Sequence, residues 1–243
     1  MKTVLITGVL GGIGSAIAKE FKEANYFVIG TDVKKANPDF CDKFIQFDIN
    51  LFCSDSNYRL IHGNKIQEEI QELDVLINNA AVQILGSAEE ITVEDWMETM
   101  NVNVNGPFLL IRLFLAKLKK SKGAVINIAS IHHQLTKKRF LAYAASKSAL
   151  IGLTKAISVD LAGTIRVNAI SPAAIETQML FDGFNNDKEK ILMLNQLHPI
   201  QRIGHPYEVA KLSLFLAEDN VGFINGANIQ LDGGISNVLK DLD

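Results

Sequence analysis

A chain of 243 residues, 48% of them apolar, is long enough to bury a substantial core as one α/β domain. Its 24 basic and 27 acidic residues are interspersed and leave a net charge of −3, so no broad basic surface marks it for nucleic acid. Cys41 and Cys53 lack metal-site spacing and read as reduced thiols, MKTVLITG is too short for the apolar core of a signal peptide, and the most apolar stretch, FLLIRLFLAKL, carries Arg112 and Lys117. The expectation is a soluble cytoplasmic protein with no bound metal and neither nucleic acid nor membrane as a partner.

In chain order, the apolar run TVLIT ending at Gly8 predicts a first strand buried on both faces, as in a parallel sheet. Beyond the glycines, Ile13, Ala16, Ile17, Phe21 and Ala24 form one helical stripe. Further strands are predicted at YFVIGT, KFIQF, DVLINNA, GAVINIAS, IRVNAI and NIQLD, with helices over 92–119, 141–162 and 206–217. This alternation predicts right-handed crossovers and an α/β single-domain Rossmann fold, a doubly wound parallel β-sheet with helices on both faces. Between YFVIGTD and KFIQFD lie only about a dozen residues, Pro38 among them, so a turn is expected in place of a crossover helix. Residues 178–205 are the least periodic long stretch and read as a lid over the substrate.

The stretch LITGVLGGIG places Gly8, Gly12 and Gly14 between a strand and a helix. Tight strand-to-helix turns use glycine for steric reasons alone, but in a βαβ unit bare backbone also lets a pyrophosphate approach the helix N-terminus. Asp32 closes the second strand 18 residues after Gly14, where a carboxylate would accept hydrogen bonds from a ribose diol and repel a 2′-phosphate, favouring NAD over NADP. Lys34 and Lys35 read as solvated surface. Tyr143 and Lys147, four residues apart, share a helix face. An ammonium about 4 Å from a phenol at an effective dielectric of 20 is worth ~4 kcal/mol, which predicts a phenol pKa lowered by roughly two to three units. Ser130 ends a strand, where its hydroxyl could hold a substrate oxygen beside that phenol. Asn103 is an amide in the middle of an apolar helix and needs a partner.

The motifs TGVLGGIG (7–14), NNAA (78–81), NVNVNG (101–106), Ser130, YAASK (143–147), SPAAIET (171–177) and LDGG (231–234), in this order, resemble the short-chain dehydrogenase/reductase family over the whole chain. The resemblance implies a catalytic tetrad of Asn103, Ser130, Tyr143 and Lys147, with a bound water leading from Asn103 towards Lys147. It implies NAD contacts at Gly8, Gly12, Ile13, Gly14, Asp32, Ile49, Ala80, Tyr143, Lys147, Pro172 and Ile175. It further gives Asp48 the adenine, Asn79 the turn after the fourth strand, and Thr177 the nicotinamide carboxamide. A homotetramer or homodimer is also implied. Gln83, Ser130, His132 and Tyr143 would line the substrate pocket, an arrangement similar to the carboxylate grip of D-3-hydroxybutyrate dehydrogenases. Phe140 stands where those enzymes have lysine, so an anion would have to recruit a neighbour such as Arg139. The expected reaction is NAD(H)-dependent interconversion of a secondary alcohol and a ketone on a small polar substrate: a hydroxy acid, polyol or sugar.

Ala81 and Ala173 depart from the family, which usually has glycine at both positions. Alanine there costs about 1 kcal/mol or more if a positive φ is required, and otherwise its methyl crowds the cofactor. These two alanines are the only support for a rival reading, a non-catalytic NAD-binding regulator. A sugar-nucleotide epimerase or dehydratase would need a larger C-terminal domain than the 66 residues after Thr177. His133, Lys137, Lys138 and Arg139 read as solvated loop residues, with an anion-docking role left open for the three cations.

Overall fold

The computed structural model describes residues 1–184 and 187–239; residues 185 and 186 of the expected lid lie outside the described residues. Strand β1 (Thr3–Thr7) leads into helix α1 (Gly12–Glu23), then β2 (Phe27–Asp32) and β3 (Lys43–Gln46). Helices α2 (Ile49–Ser54) and α3 (Ser56–Glu69) precede β4 (Val75–Asn78), and α4 (Val93–Met100) and α5 (Gly106–Ser121) precede β5 (Ala124–Ile128). There follow α6 (Leu141–Asp160), β6 (Arg166–Pro172), α7 (Gln178–Gly183), α8 (Lys188–Leu197), α9 (Pro206–Ala217) and β7 (Asn228–Leu231).

The sheet is parallel throughout in the order β3-β2-β1-β4-β5-β6-β7, the doubly wound α/β architecture expected. The chain runs outward from β1 to β3 and then returns to lay β4 on the other side of β1. That reversal opens a crevice at the carboxyl ends of β1 and β4, where such sheets bind ligands. Alternate residues of each strand feed two core layers. Leu5, Ile29, Leu76 and Val125 pack with Phe52, Ile66 and Phe114 on one face, while Val4, Ile6, Val28 and Ile77 pack with Ile17, Phe21 and Val209 on the other.

Residues 33–42 contain no helix, as their length and Pro38 predicted. Two features differ from the sequence expectation. Helices α2 and α3 occupy a stretch with no readable apolar stripe, because Leu60 and Ile61 of α3 are each 64% exposed and only Gly63 and Ile66 of that helix are buried. Their starts are set by aspartates: Asp48 accepts a hydrogen bond from the Leu51 N–H, and Asp55 from those of Asn57 and Tyr58. The predicted helix over 92–119 is two α-helices joined by a π-helical turn at Asn101–Asn105.

Candidate active site

At the crevice, the ends of β1 and β4 are tied together by hydrogen bonds. The Thr7 hydroxyl accepts from the N–H groups of Asn79 and Ala80, each at 3.0 Å, and the Asn79 amide donates to the carbonyls of Thr7 (2.9 Å) and Gly8 (3.0 Å). Gly8 has φ +62°, and a Cβ there would stand 2.8 Å from the Ala80 Cα. A Cβ on Gly14 would collide with the Gly8 carbonyl oxygen and lie 2.8 Å from the Val9 Cα. No side chain caps the start of α1, so the N–H groups of Gly12, Ile13 and Gly14 face the crevice end of the helix uncapped. A Cβ on Gly12 would sit 2.9 Å from the Thr177 Cγ2, which places Thr177 across the crevice from the glycine turn. These bare, donor-rich positions fit the pyrophosphate of a dinucleotide.

Asp32, half-buried at the end of β2, accepts hydrogen bonds from the N–H groups of Leu10 and Lys34, each at 3.2 Å, so its carboxylate is braced beside the same turn. Other expected cofactor residues have structural duties in this fold. Asp48 caps α2 through its Oδ1, Ile49 is buried against Gly106, and Ile175 is buried with its backbone paired to Gly204. Pro172 is buried at the end of β6 beside Leu231.

The chemical groups gather at the end of β5. Ser130 follows that strand; its hydroxyl accepts from the His132 N–H at 3.2 Å and lies close enough to the Tyr143 phenol to oppose the rise in its pKa. Lys147, one turn along α6 from Tyr143, is 2% exposed and donates from Nζ to the Ile128 carbonyl at 2.8 Å, its nitrogen lying 5.5 Å from the Tyr143 ring centre. The predicted fall in the Tyr143 pKa is not found. Although the residue as a whole is half-exposed, its hydroxyl is densely surrounded by protein, and this burial, opposed by the Ser130 hydroxyl, pushes the phenol up to about 12. Burial likewise lowers Lys147 to about 8. The ammonium is directed at a backbone carbonyl, so it does not hold the phenol down.

Asn103 is brought in by the π-helical turn. Its Oδ1 accepts from the Val82 N–H and its Nδ2 donates to the Val82 carbonyl, both at 2.9 Å, and to the Ser146 hydroxyl at 3.0 Å. Ser146 in turn donates to the Tyr143 carbonyl at 2.7 Å. The amide therefore acts on α6 through Ser146, a residue the motif reading did not single out.

On the substrate side, His132 stacks on Phe140 with ring centres 4.4 Å apart and meets Tyr143 edge-on at 5.7 Å. Burial, helped by the charge of Lys137, lowers its pKa to about 4, so it is neutral at pH 7. His133 is committed elsewhere: its ring nitrogens bond the Ser130 carbonyl (2.8 Å) and the Asn228 amide (3.1 Å), anchoring the loop to β7. Gln83 is half-buried in the loop after β4, and its side chain makes no hydrogen bond with the described residues. Arg139 is paired with Glu90.

Residues 8–236 match the family model described as enoyl-(acyl carrier protein) reductase. Meso-2,3-butanediol dehydrogenase of Serratia marcescens is 32% identical over 238 residues, covering 96% of this chain and 94% of that one. The chain belongs to the short-chain dehydrogenase/reductase family. Ligand-free aldohexose dehydrogenase of Thermoplasma acidophilum superposes with a TM-score of 0.91 at 30% identity, covering 100% of this chain and 96% of that one. For 4-hydroxyisoleucine dehydrogenase complexed with NADH the TM-score is 0.88 at 29% identity, with 98% and 100% covered. As a short-chain dehydrogenase/reductase, the protein is a nicotinamide-dependent oxidoreductase acting on CH–OH groups.

The two alanines that depart from the family pattern cause no backbone strain. Positive φ among non-glycine residues occurs at Asn25, Lys122, Arg139 and Gln201, and neither Ala81 nor Ala173 is among them. Ala173 is held by its N–H to the Leu231 carbonyl at 3.1 Å. Among the described residues, no helix is long and apolar enough to cross a membrane and no cluster of His, Cys, Asp or Glu could hold a metal ion.

Proposed function

We propose that the protein interconverts a secondary alcohol and a ketone on a small polar substrate, using NAD(H), with Tyr143 as the general acid/base. The observation that carries this reading is the gathering of Ser130, Tyr143 and the buried Lys147 beyond the end of β5, at the same end of the sheet as the glycine cradle. NAD bound across Gly8, Gly12–Gly14, Asp32 and Thr177 supplies the hydride acceptor. Ser130 donates a hydrogen bond to the substrate oxygen and fixes it against the phenol. Tyr143 takes the hydroxyl proton during oxidation and returns it during reduction. Lys147 keeps a positive charge beneath the phenol ring, and Asn103 fixes the start of α6 through Ser146. Segments α7 and α8 serve as the lid. The substrates in the names of the three relatives, a diol, an aldohexose and a hydroxy amino acid, are small and polar, which supports the same class here. The same reading makes the enzyme cytoplasmic and homo-oligomeric, with exposed apolar residues of α5 and α6, Phe108 and Val159, available to a second copy.

Asp32 and the absence of a basic residue in the glycine turn set the cofactor preference. The expected result is a kcat/KM at least about tenfold higher with NAD than with NADP, since a 2′-phosphate would face a braced carboxylate. Equal efficiencies with the two cofactors would overturn this assignment.

The shifted groups set the pH dependence. A phenol pushed up to about 12 is protonated at neutral pH, the form that donates to a ketone oxygen, whereas alcohol oxidation needs the phenolate. Between about pH 6 and about pH 8, below the lowered pKa of Lys147, kcat/KM for oxidation should therefore rise with pH while that for reduction stays nearly level. An oxidation profile that is flat over this range would exclude Tyr143 as the proton acceptor.

A further inference from the structure

The loop between β5 and α6 carries three adjacent cations, Lys137, Lys138 and Arg139, which the fold treats differently. Arg139, at φ +71°, lies 2.6 Å from Glu90, and the Gly86 N–H donates to its carbonyl, so that cation is neutralised and its backbone is pinned to the loop after β4. Lys137 has no carboxylate partner among the described residues. Its Nζ stands 4.5 Å from the centre of the Phe140 ring and 5.5 Å from that of Phe184, immediately past α7. Phe140 stacks on His132 and meets Tyr143 edge-on at 6.0 Å. An ammonium without a counter-ion thus lies one aromatic ring away from the phenol that moves the proton, at the seam between the active-site loop and the lid.

We infer that Lys137 binds the anionic group of the substrate, so that the alcohol this enzyme oxidises is a short hydroxy acid whose carboxylate meets Lys137 while its carbinol meets Ser130 and Tyr143. Resting on the dehydrogenase reading above, this selects one class among the small polar substrates. Aromatic faces attract a cation but leave its hydrogen-bond donors unfilled, and a carboxylate supplies the acceptors. The surroundings favour an anion: His132 is neutral, and Glu90, the carboxylate on the facing loop, is held by Arg139. Lys137 lies close enough to His132 for its charge to add to the burial that lowers the imidazole's pKa. A neutral polyol would offer the ammonium hydroxyl acceptors but no opposite charge, and so a weaker partner than a carboxylate. The position expected to anchor an anion from sequence, Arg139, is replaced by Lys137 because Glu90 has already claimed the arginine.

The test compares two matched pairs that share a carbon skeleton and a secondary alcohol: 3-hydroxybutyrate against 1,3-butanediol, and gluconate against glucitol. NADH formation is followed with the wild-type protein and with Lys137→Gln and Lys137→Arg. The expected result is a wild-type preference for the acid in at least one pair. Lys137→Gln should reduce that preference, taken as the ratio of kcat/KM values, by roughly 10- to 100-fold, chiefly through KM. Lys137→Arg should restore most of it. If Lys137→Gln lowers acid and neutral partner by the same factor, the lysine only latches the lid and the inference is overturned. Oxidation of the neutral partners alone would also overturn it while leaving the dehydrogenase reading intact. Turnover of neither member of either pair would remove the small-polar-substrate reading on which the inference rests.

Discussion

Replacing Tyr143 with phenylalanine should lower kcat by about 10²- to 10⁴-fold in both directions while leaving NAD affinity nearly unchanged. The substitution removes one hydroxyl, the group beside Ser130, and keeps the ring that packs edge-on against His132 and Phe140. None of the glycine-turn positions is disturbed. Calorimetric titration of NAD with the variant separates the two effects, because binding should persist where turnover is lost. Lys147→Ala provides the contrast: it removes a buried cation and leaves the Ile128 carbonyl without its donor, so both stability and cofactor binding should suffer. A phenylalanine variant retaining more than about a tenth of wild-type turnover under chemistry-limited conditions would be incompatible with Tyr143 as the proton carrier.

Gly14→Ala is expected to give the largest loss of stability among the glycine variants. The added methyl meets backbone on two sides, the Gly8 carbonyl oxygen and the Val9 Cα, together with the Asn79 amide that ties β4 to β1. Backbone cannot swing aside as a flexible side chain can, so overpacking should cost about 3 kcal/mol or more. For a domain of this size that corresponds to a fall in Tm of roughly 6–12 °C, with NAD binding impaired because the turn itself has moved. Gly11→Ala is the control, since Gly11 lies at φ −72° and an added Cβ would approach nothing closer than the Gly8 oxygen at 3.4 Å. Scanning calorimetry of the two variants should separate them clearly. Equal melting temperatures would mean that the α1–β1 approach is looser than the structure shows.

The sheet and the glycine cradle were legible because their demands on residue type are narrow. Strands buried on both faces must be continuously apolar, and a helix start that touches backbone must be bare. Ser130, Tyr143 and Lys147 were legible as a set for a similar reason, one strand end and one helical turn being enough to bring them together. What escaped the sequence depended on partners far along the chain. Helices α2 and α3 lacked an apolar stripe because Leu60 and Ile61 face outward, although the aspartate caps at Asp48 and Asp55 were there to be read. The direction of the Tyr143 shift turned on where the Lys147 nitrogen points, and the Ile128 carbonyl that holds it belongs to a different element. Which of three neighbouring cations is paired was decided by Glu90, 49 residues away from Arg139. Ser146 gained its role only once the Asn103 amide had been placed beside it.

The π-helical turn at Asn101–Asn105 solves a problem of angular phase. An α-helix advances about 100° per residue, so one extra residue within a turn rotates everything beyond it relative to everything before it. Upstream, α4 buries Thr99; downstream, α5 must present Leu110, Phe114 and Leu118 to the sheet, while between them Asn103 must reach Val82 and Ser146. In a single unbroken helix positions 99, 103 and 110 would share one face, whereas the wide turn sets the phase of α5 apart from that of α4. Removing one residue from the turn, Val104 for example, would restore regular hydrogen bonding yet turn the apolar face of α5 by about 100° away from the sheet. The wide turn is therefore the point at which the angular register of the core is uncoupled from that of the site.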